Sequence, residues 1–409
     1  MEFSPGPACD SRRRTSRPTY ANKMANKRES FMSESEIKTK AEPAASRRRF
    51  LKSAVLATAG ASAAVAAPRV VRAQDTTIFK FQSTWPAKDI FNEFAQDYVD
   101  RVNQMAGGRL QIELLAAGTV VKAFELQQAV SDGILDGGHG VCAYWYGKNK
   151  GFSLFGTGPA FGFDANQFLA WMRYGGGQAF YDELVNDVLG VNCVGFLTGP
   201  MPTQPLGWFN SPVEGPEALN GLKYRTVGLS ADLFTAMGSA VTVLPGGEIV
   251  PAIQTGTLEA AEFNNPSSDL ILGFTDVSKV YMLQSYHQPA ECFEVIFNKD
   301  AYNALTPDLQ AILKYAAEAA SADMSWKQQD RYSTDLEKIR AAGIEVLTTP
   351  ESVLQAQLAA WDTLIESLSS DPFFAKVIES QMAWTKRVVG FYREYQVSGA
   401  LAYDHFFGS

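Results

Sequence analysis

Apolar positions along this chain switch repeatedly between the two-residue period of strands and the three-to-four-residue period of helices. Thr77–Trp85 reads as a first strand, and Pro86 stops it. Asp89–Met105 carries Ile90, Phe91, Phe94, Tyr98 and Val102 at helical spacing, and Gly107-Gly108 ends it. Leu110–Leu115 is a second strand, His139–Trp145 a third, and Asp164–Val188 is helical, with the three glycines at 175–177 as a flexible break. Val191–Leu197 is a strand that runs into the loop Gly199–Pro205, and Lys223–Val227 and Val241–Leu244 follow. Strands alternating with helices predict α/β architecture with open sheets. Beyond residue 300 the pattern is almost wholly helical. Thr306-Pro307 is a strong start signal, and neither Gly nor Pro occurs from Asp308 to Ala342. Such a helix extends about 50 Å, more than one lobe's width, so it is expected to lie across both halves. Ser352–Leu368 and Pro372–Tyr395 complete the helical set.

One short pattern occurs twice. Glu125, Ala129, Gly133, Leu135 and Asp136 match Glu248, Ala252, Gly256, Leu258 and Glu259, every pair 123 residues apart. Each copy reads as a helix ended by Gly and a turn into a strand. Either two unrelated turns coincide, or the chain holds two similar α/β lobes with a cleft between them; the second reading is preferred. Just after the shared segment the first copy has His139 and the second Glu262.

The N-terminus stands apart. Ser46-Arg47-Arg48-Arg49-Phe50-Leu51-Lys52, an Ala-rich apolar run over 53–67 and Val71-Arg72-Ala73 form an export signal of the twin-arginine type. A mature chain starting near Gln74 is expected in the periplasm. Of the 36 Lys+Arg and 44 Asp+Glu, the first 73 residues hold 15 and 6, leaving 21 and 38. That acidic balance argues against nucleic acid and anionic membrane as partners. Cys142, Cys193 and Cys292 remain, an odd number in apolar stretches, and read as buried free thiols.

No nucleophile motif accompanies His139, His287 or His405, and no Gly-rich loop has phosphate-binding spacing, so catalysis is not expected. Arg225 lies in the alternating strand Gly221–Thr226 and faces away from Tyr224. Its guanidinium would either hold a ligand carboxylate through two parallel hydrogen bonds or form an internal salt bridge. Glu262 ends a strand among small residues, where it would pair with that arginine or hold a cation. Oxygen donors such as Glu262, the Gln204 amide and backbone carbonyls suit Na⁺ or Ca²⁺.

Leu115–Val121, the turn Asp132–Asp136, Gly207-Trp208-Phe209 and Leu219–Arg225 resemble the solute-binding proteins of tripartite ATP-independent periplasmic (TRAP) transporters, across essentially all of residues 75–409. Gly199–Gly207, Lys223–Gly228, Glu262–Asn265 and Ser285–Gln288 are most similar to the subgroup that takes up 2-oxo acids such as pyruvate, chelated to a cation. The resemblance implies that Arg225 holds the substrate carboxylate and that Gln204 and Glu262 coordinate the cation with the backbone oxygen of Phe263. Gln288 would complete the shell. Related proteins tend to have Trp where this chain has Phe263, which leaves a backbone ligand intact but alters the pocket. Trp85 and Tyr146 are placed either on the pocket wall or in the core. A final helix exchanged between two subunits is a further implication; the apolar face of Pro372–Tyr395 would suit a homodimer or packing on its own chain.

The expected organisation is a leader over 1–73, lobe I over 74–200, lobe II over 201–300 with some return to lobe I, the spanning helix over 301–342 and C-terminal helices over 343–409, with 372–396 as the exchange helix. The expected function is a receptor handing a small organic acid to membrane permease subunits. A sensor feeding a membrane kinase and an enzyme on the same scaffold are the alternatives.

Overall fold

The chain crosses between two β-sheets, and the crossings govern where its functional side chains meet. The computed structural model describes residues 76–408, so the export signal lies outside the described residues. Strands β1 (Thr77–Ser83), β2 (Leu110–Leu115), β3 (Gly137–Gly140) and β4 (Cys193–Met201) belong to the first sheet. Strands β5 (Gly207–Phe209), β6 (Lys223–Arg225), β7 (Ala240–Thr242), β8 (Ala260–Ala261) and β9 (Val280–Leu283) build the second. Then β10 (Glu291–Asn298) returns to the first and β11 (Glu345–Thr348) to the second. The orders are β2-β1-β3-β10-β4 and β11-β9-β5-β8-β6-β7. In the first sheet β1–β3 are parallel, and β10 runs antiparallel between β3 and β4.

Two extended crossings, Pro202–Leu206 and Gln284–Ala290, run side by side, with the Gln204 N–H donating to the Gln288 carbonyl at 3.1 Å. A third passage is the helix Pro307–Ala341, which starts at the predicted Thr306-Pro307 signal and not at 301, because a separate short helix, Lys299–Asn303, precedes it. Its buried positions, from Leu309 and Leu313 through Ala320, Met324 and Tyr332 to Ile339, recur every three or four residues. Tyr98 donates to the Leu313 carbonyl and Gln328 to that of Pro200.

The repeated pattern is a repeated structure. Gly133 and Gly256 both end their helices at left-handed φ, 73° and 72°, where a side chain would be strained. Leu135 and Leu258 are both buried, and their N–H groups donate to Ala129 and Ala252. Asp136 accepts from the Lys80 N–H at 2.8 Å, and Glu259 accepts from the Lys223 N–H at 3.0 Å. An acid at the same repeat position thus ties the turn to a strand of its own sheet in both halves, β1 and β6.

The third strand departs from expectation. It covers Gly137–Gly140, and Cys142–Trp145 forms a 3₁₀ turn instead. A Cβ on Gly137 would meet the Ile296 carbonyl and the Phe81 ring at 2.7 Å, so the strand's centre must lack side chains. A strand made of glycine carries no apolar signal, while the apolar residues after it wall a cavity. The helix over Asp164–Val188 is divided at Gly176, φ 89°, into Ala165–Tyr174, Gly177–Asp182 and a π-helical turn. All three cysteines are buried free thiols.

The helix Pro372–Tyr395 divides its roles along its length. Phe373, Phe374, Val377, Ile378, Gln381 and Trp384 are buried against their own chain, with Gln381 donating to the Leu154 carbonyl at 2.7 Å and Trp171 to Ser380 at 3.1 Å. Phe391, Tyr392 and Tyr395 are exposed. Residues 396–408 form a separate unit, a short helix Gly399–Phe407 capped by Ser398, with every residue exposed. No described helix is long and apolar enough to cross a membrane.

Candidate functional site

Arg225 ends β6 beside Ala261 of β8, which places its guanidinium against the next residue, Glu262. Both side chains are fully buried. Arg225 Nε donates to the Leu244 carbonyl at 2.7 Å, and Nη1 donates to the Glu262 carbonyl at 3.0 Å and to Glu262 Oε1 at 2.9 Å. Nη2 has no acceptor. The internal salt bridge therefore forms and still leaves one edge of the guanidinium unused. Burying an arginine with an unpaired N–H is costly, so the free edge marks a place for an acceptor that the chain does not supply. The Phe263 ring lies 5.7 Å from the guanidinium carbon.

The two crossings bring the other polar groups. Gln204, on the first, donates its amide to Glu291 Oε2 at 2.6 Å and leaves its own Oε1 unbonded and buried. Asn264, two residues after Glu262, donates to the same Glu291 oxygen at 3.1 Å. Glu291 opens β10, and its sequence neighbours Ala290 and Cys292 carry no motif that would mark it as a site residue. Gln204, Arg225, Asn264 and Glu291 line one small cavity whose other walls are Trp85, Phe91, Val141, Tyr144, Val227 and Phe263. Trp85 thus lies on the wall, its Nε1–H donating to His139 Nδ1 at 2.8 Å. His139 accepts there as a neutral ring, and burial holds its pKa down to about 3.

Glu262 is not itself among the lining residues and sits behind Arg225 and Phe263, and two further candidates lie off the cavity. Tyr146 does not line this cavity. Its hydroxyl donates to Asp232 at 2.5 Å, and its ring lines a second hollow with Phe124, Trp145 and Val243. Tyr144, two residues earlier, borders both hollows, and the 3₁₀ turn over Cys142–Trp145 separates the two tyrosines that a strand would have put on one face. The buried Gln288 amide makes no hydrogen bond and does not line the cavity; its contribution is the carbonyl that joins the crossings.

The electrostatics are those of a site short of positive charge. Burial raises Glu262 to about 7, against the pull of Arg225. Its Oε2 lacks a hydrogen bond of normal length, with the Thr226 hydroxyl close enough only to lower the pKa slightly. Burial, and then the charge of Glu262, raise Glu291 to about 8. No group of three or more His, Cys, Asp or Glu side chains that could hold a metal occurs among the described residues. Two carboxylates, a free amide oxygen and backbone carbonyls are the donor set of a hard cation, and the unbonded Gln204 and Glu262 oxygens fit one. Arg225 Nη2 fits the carboxylate of an organic acid.

The family profile of the DctP-type bacterial extracellular solute-binding proteins, family 7, matches residues 81–371. A monocarboxylate 2-oxoacid-binding periplasmic protein of Nostoc sp. is 30% identical over 332 residues, covering 81% of this chain and 89% of that protein. Among solved structures, a TRAP solute-binding protein of Bordetella bronchiseptica is 28% identical with a TM-score of 0.76, covering 81% of this chain and 97% of the other. It is a mixed-occupancy dimer with calcium and picolinate in one active site. The protein of Colwellia psychrerythraea (28% identity, TM-score 0.74, coverage 81% and 100%) holds calcium and pyruvate. That of Pseudoalteromonas atlantica (27%, 0.75, 81% and 99%) holds sodium and pyruvate.

Proposed function

The chain belongs to family 7 of the bacterial extracellular solute-binding proteins, and from that premise we propose that it is a TRAP receptor for a 2-oxo monocarboxylate, pyruvate or a close relative, bound together with a hard cation. The observation that carries this reading is the unfilled Arg225 Nη2 in the same cavity as the unbonded Gln204 amide oxygen. Arg225 binds one edge of the ligand carboxylate. Gln204, Glu262 and the backbone oxygen of Phe263 hold the cation, whose role is to neutralise charge and to join the carboxylate and keto oxygens in one chelate. A simple monocarboxylate lacks the second oxygen, so the chelate selects 2-oxo and 2-hydroxy acids. Trp85, Tyr144 and Phe263 exclude water, which strengthens each of these interactions.

The paired crossings at Gln204 and Gln288 suit a hinge, with ligand trapped by closure of the two sheets. The loaded form would then be recognised by the membrane permease subunits, in the periplasm after twin-arginine export, with no reaction catalysed. The exposed end of Pro372–Tyr395 is assigned to a homodimer. The test is calorimetry of pyruvate with chelator-treated protein. Binding that needs Ca²⁺ or Na⁺ and disappears in Glu262→Gln is expected. Full-strength binding without either ion would overturn the chelate.

A further inference from the structure

Two side-chain donors that line the cavity have no acceptor, and they come from different sheets. Trp85 gives its indole N–H to His139, while Gln204 and Asn264 both donate to Glu291. Arg225 Nη2 and the Tyr144 hydroxyl are left over, both buried. Arg225 ends β6 of the second sheet, and Tyr144 lies in the turn Cys142–Trp145 that follows β3 of the first. The Tyr144 ring is held without help from its hydroxyl: its centroid is 5.6 Å from that of Trp85 and 4.7 Å from that of Phe124, which meets it edge-on. The hydroxyl lies by the loop that holds the arginine, since Arg225 Nε donates to the Leu244 carbonyl and the Gly246 backbone N–H reaches the tyrosine oxygen. That N–H can only donate, so the hydroxyl proton stays unmatched. Burial raises the phenol's pKa against the pull of Arg225 and of Gly246, which keeps the proton in place for a ligand.

We infer that the Tyr144 hydroxyl donates a second hydrogen bond to the ligand carboxylate, beside Arg225, so that the bound acid itself ties the two sheets together. The inference rests on the 2-oxo acid reading above. In that chelate the keto oxygen and one carboxylate oxygen face the cation, which leaves the other carboxylate oxygen to Arg225 Nη2. A carboxylate oxygen accepts more than one hydrogen bond, and Tyr144 holds the remaining unmatched proton on the cavity wall. A ligand favours closure only by the contacts it gains in the closed form. An acid held by Arg225 alone would gain nothing from the first sheet, whereas one held by both residues binds best when the sheets meet. Closing the sheets without an acid buries two unmatched donors, which is costly. Tyr144 is therefore a positioning residue that links occupancy to closure.

The test compares wild type with Tyr144→Phe, which keeps the ring and its packing. Pyruvate is titrated by calorimetry in saturating CaCl₂ and again in NaCl, with thermal shift of the ligand-free proteins and terbium titration for ion binding without pyruvate. Y144F should bind pyruvate about ten- to a hundredfold more weakly, the scale of a hydrogen bond to a charged acceptor. Its ligand-free melting temperature should be unchanged or higher, because replacing an unmatched buried hydroxyl by an apolar group is neutral or stabilising. Terbium affinity should not change, since the hydroxyl meets the acid and not the ion. Equal pyruvate affinity in the two proteins would mean that the ring only walls the cavity, and overturns the inference while leaving the chelate standing. A lower melting temperature or weaker terbium binding in Y144F marks a structural hydroxyl and overturns it too. A wild type that binds no pyruvate with either ion present defeats the 2-oxo acid reading as well.

Discussion

Arg225 and Glu262 are joined twice through a single nitrogen: Nη1 lies 2.9 Å from the carboxylate and 3.0 Å from the backbone carbonyl, while Nη2 is buried without an acceptor. One residue is therefore a structural counter-ion whose second edge stays open for the proposed ligand carboxylate. Arg225→Ala strands a buried carboxylate and should cost about 3–5 kcal/mol of unfolding free energy, as for other broken buried pairs. Arg225→Met with Glu262→Gln should recover much of that loss in urea titrations yet show no stabilisation by pyruvate. If the double variant still responds to pyruvate, the guanidinium is not the anchor.

Loss of the acid pair's protons should make the cation-free protein less stable in mild base. Glu262 and Glu291 ionise near 4.5 when unfolded but at about 7 and about 8 when folded. Between those values the folded state binds more protons, so stability falls as pH rises. His139 and His287, held at about 3 by burial, work the other way, but only below 6.5, where the unfolded rings take protons that the folded ones refuse. The melting temperature without cation should therefore decline from pH 6.5 to 8, and saturating calcium with pyruvate should flatten the decline by favouring both ionised carboxylates. Scanning calorimetry across that window checks the sign.

The two turns should carry equal weight. Asp136→Ala and Glu259→Ala each remove one acceptor from a strand N–H and should each lower stability by about 1 kcal/mol. Lying in different sheets, the two effects should add. A marked inequality in chemical denaturation would mean that the second copy has taken on a different structural role.

Removing residues 391–409 should leave the fold intact and change only association. The buried part of the helix, through Thr385, stays in place with its Gln381 and Ser380 bonds, while exposed Phe391, Tyr392 and Tyr395 are lost. Light scattering should show a dimer becoming a monomer with an unchanged melting temperature. A monomeric full-length protein would refute subunit association through this segment.

Several features were legible in the chain itself because they depend on local chemistry. Helix boundaries at Thr306-Pro307 and Pro372 follow from capping and from proline's fixed φ. The duplicated turn announced itself through glycines that only a left-handed backbone requires, and a strand arginine followed later by Glu262 among small residues suggested the pairing that Arg225 makes. Periodicity, however, states which side chains share a face and says nothing of what covers it. Glu291 and Glu294 are charged residues in a short strand, which by composition suggests partial exposure, yet β10 is buried along its whole length. The glycine that opens β3, Gly137, is demanded by neighbours far away in sequence, Ile296 and Phe81. Only the tertiary structure could choose Tyr144 over Tyr146 as the wall, set Gln204 against Gln288, and gather the acids around one arginine. Those decisions rest on contacts between segments distant in the chain, where burial turns ordinary carboxylates into a demand for positive charge.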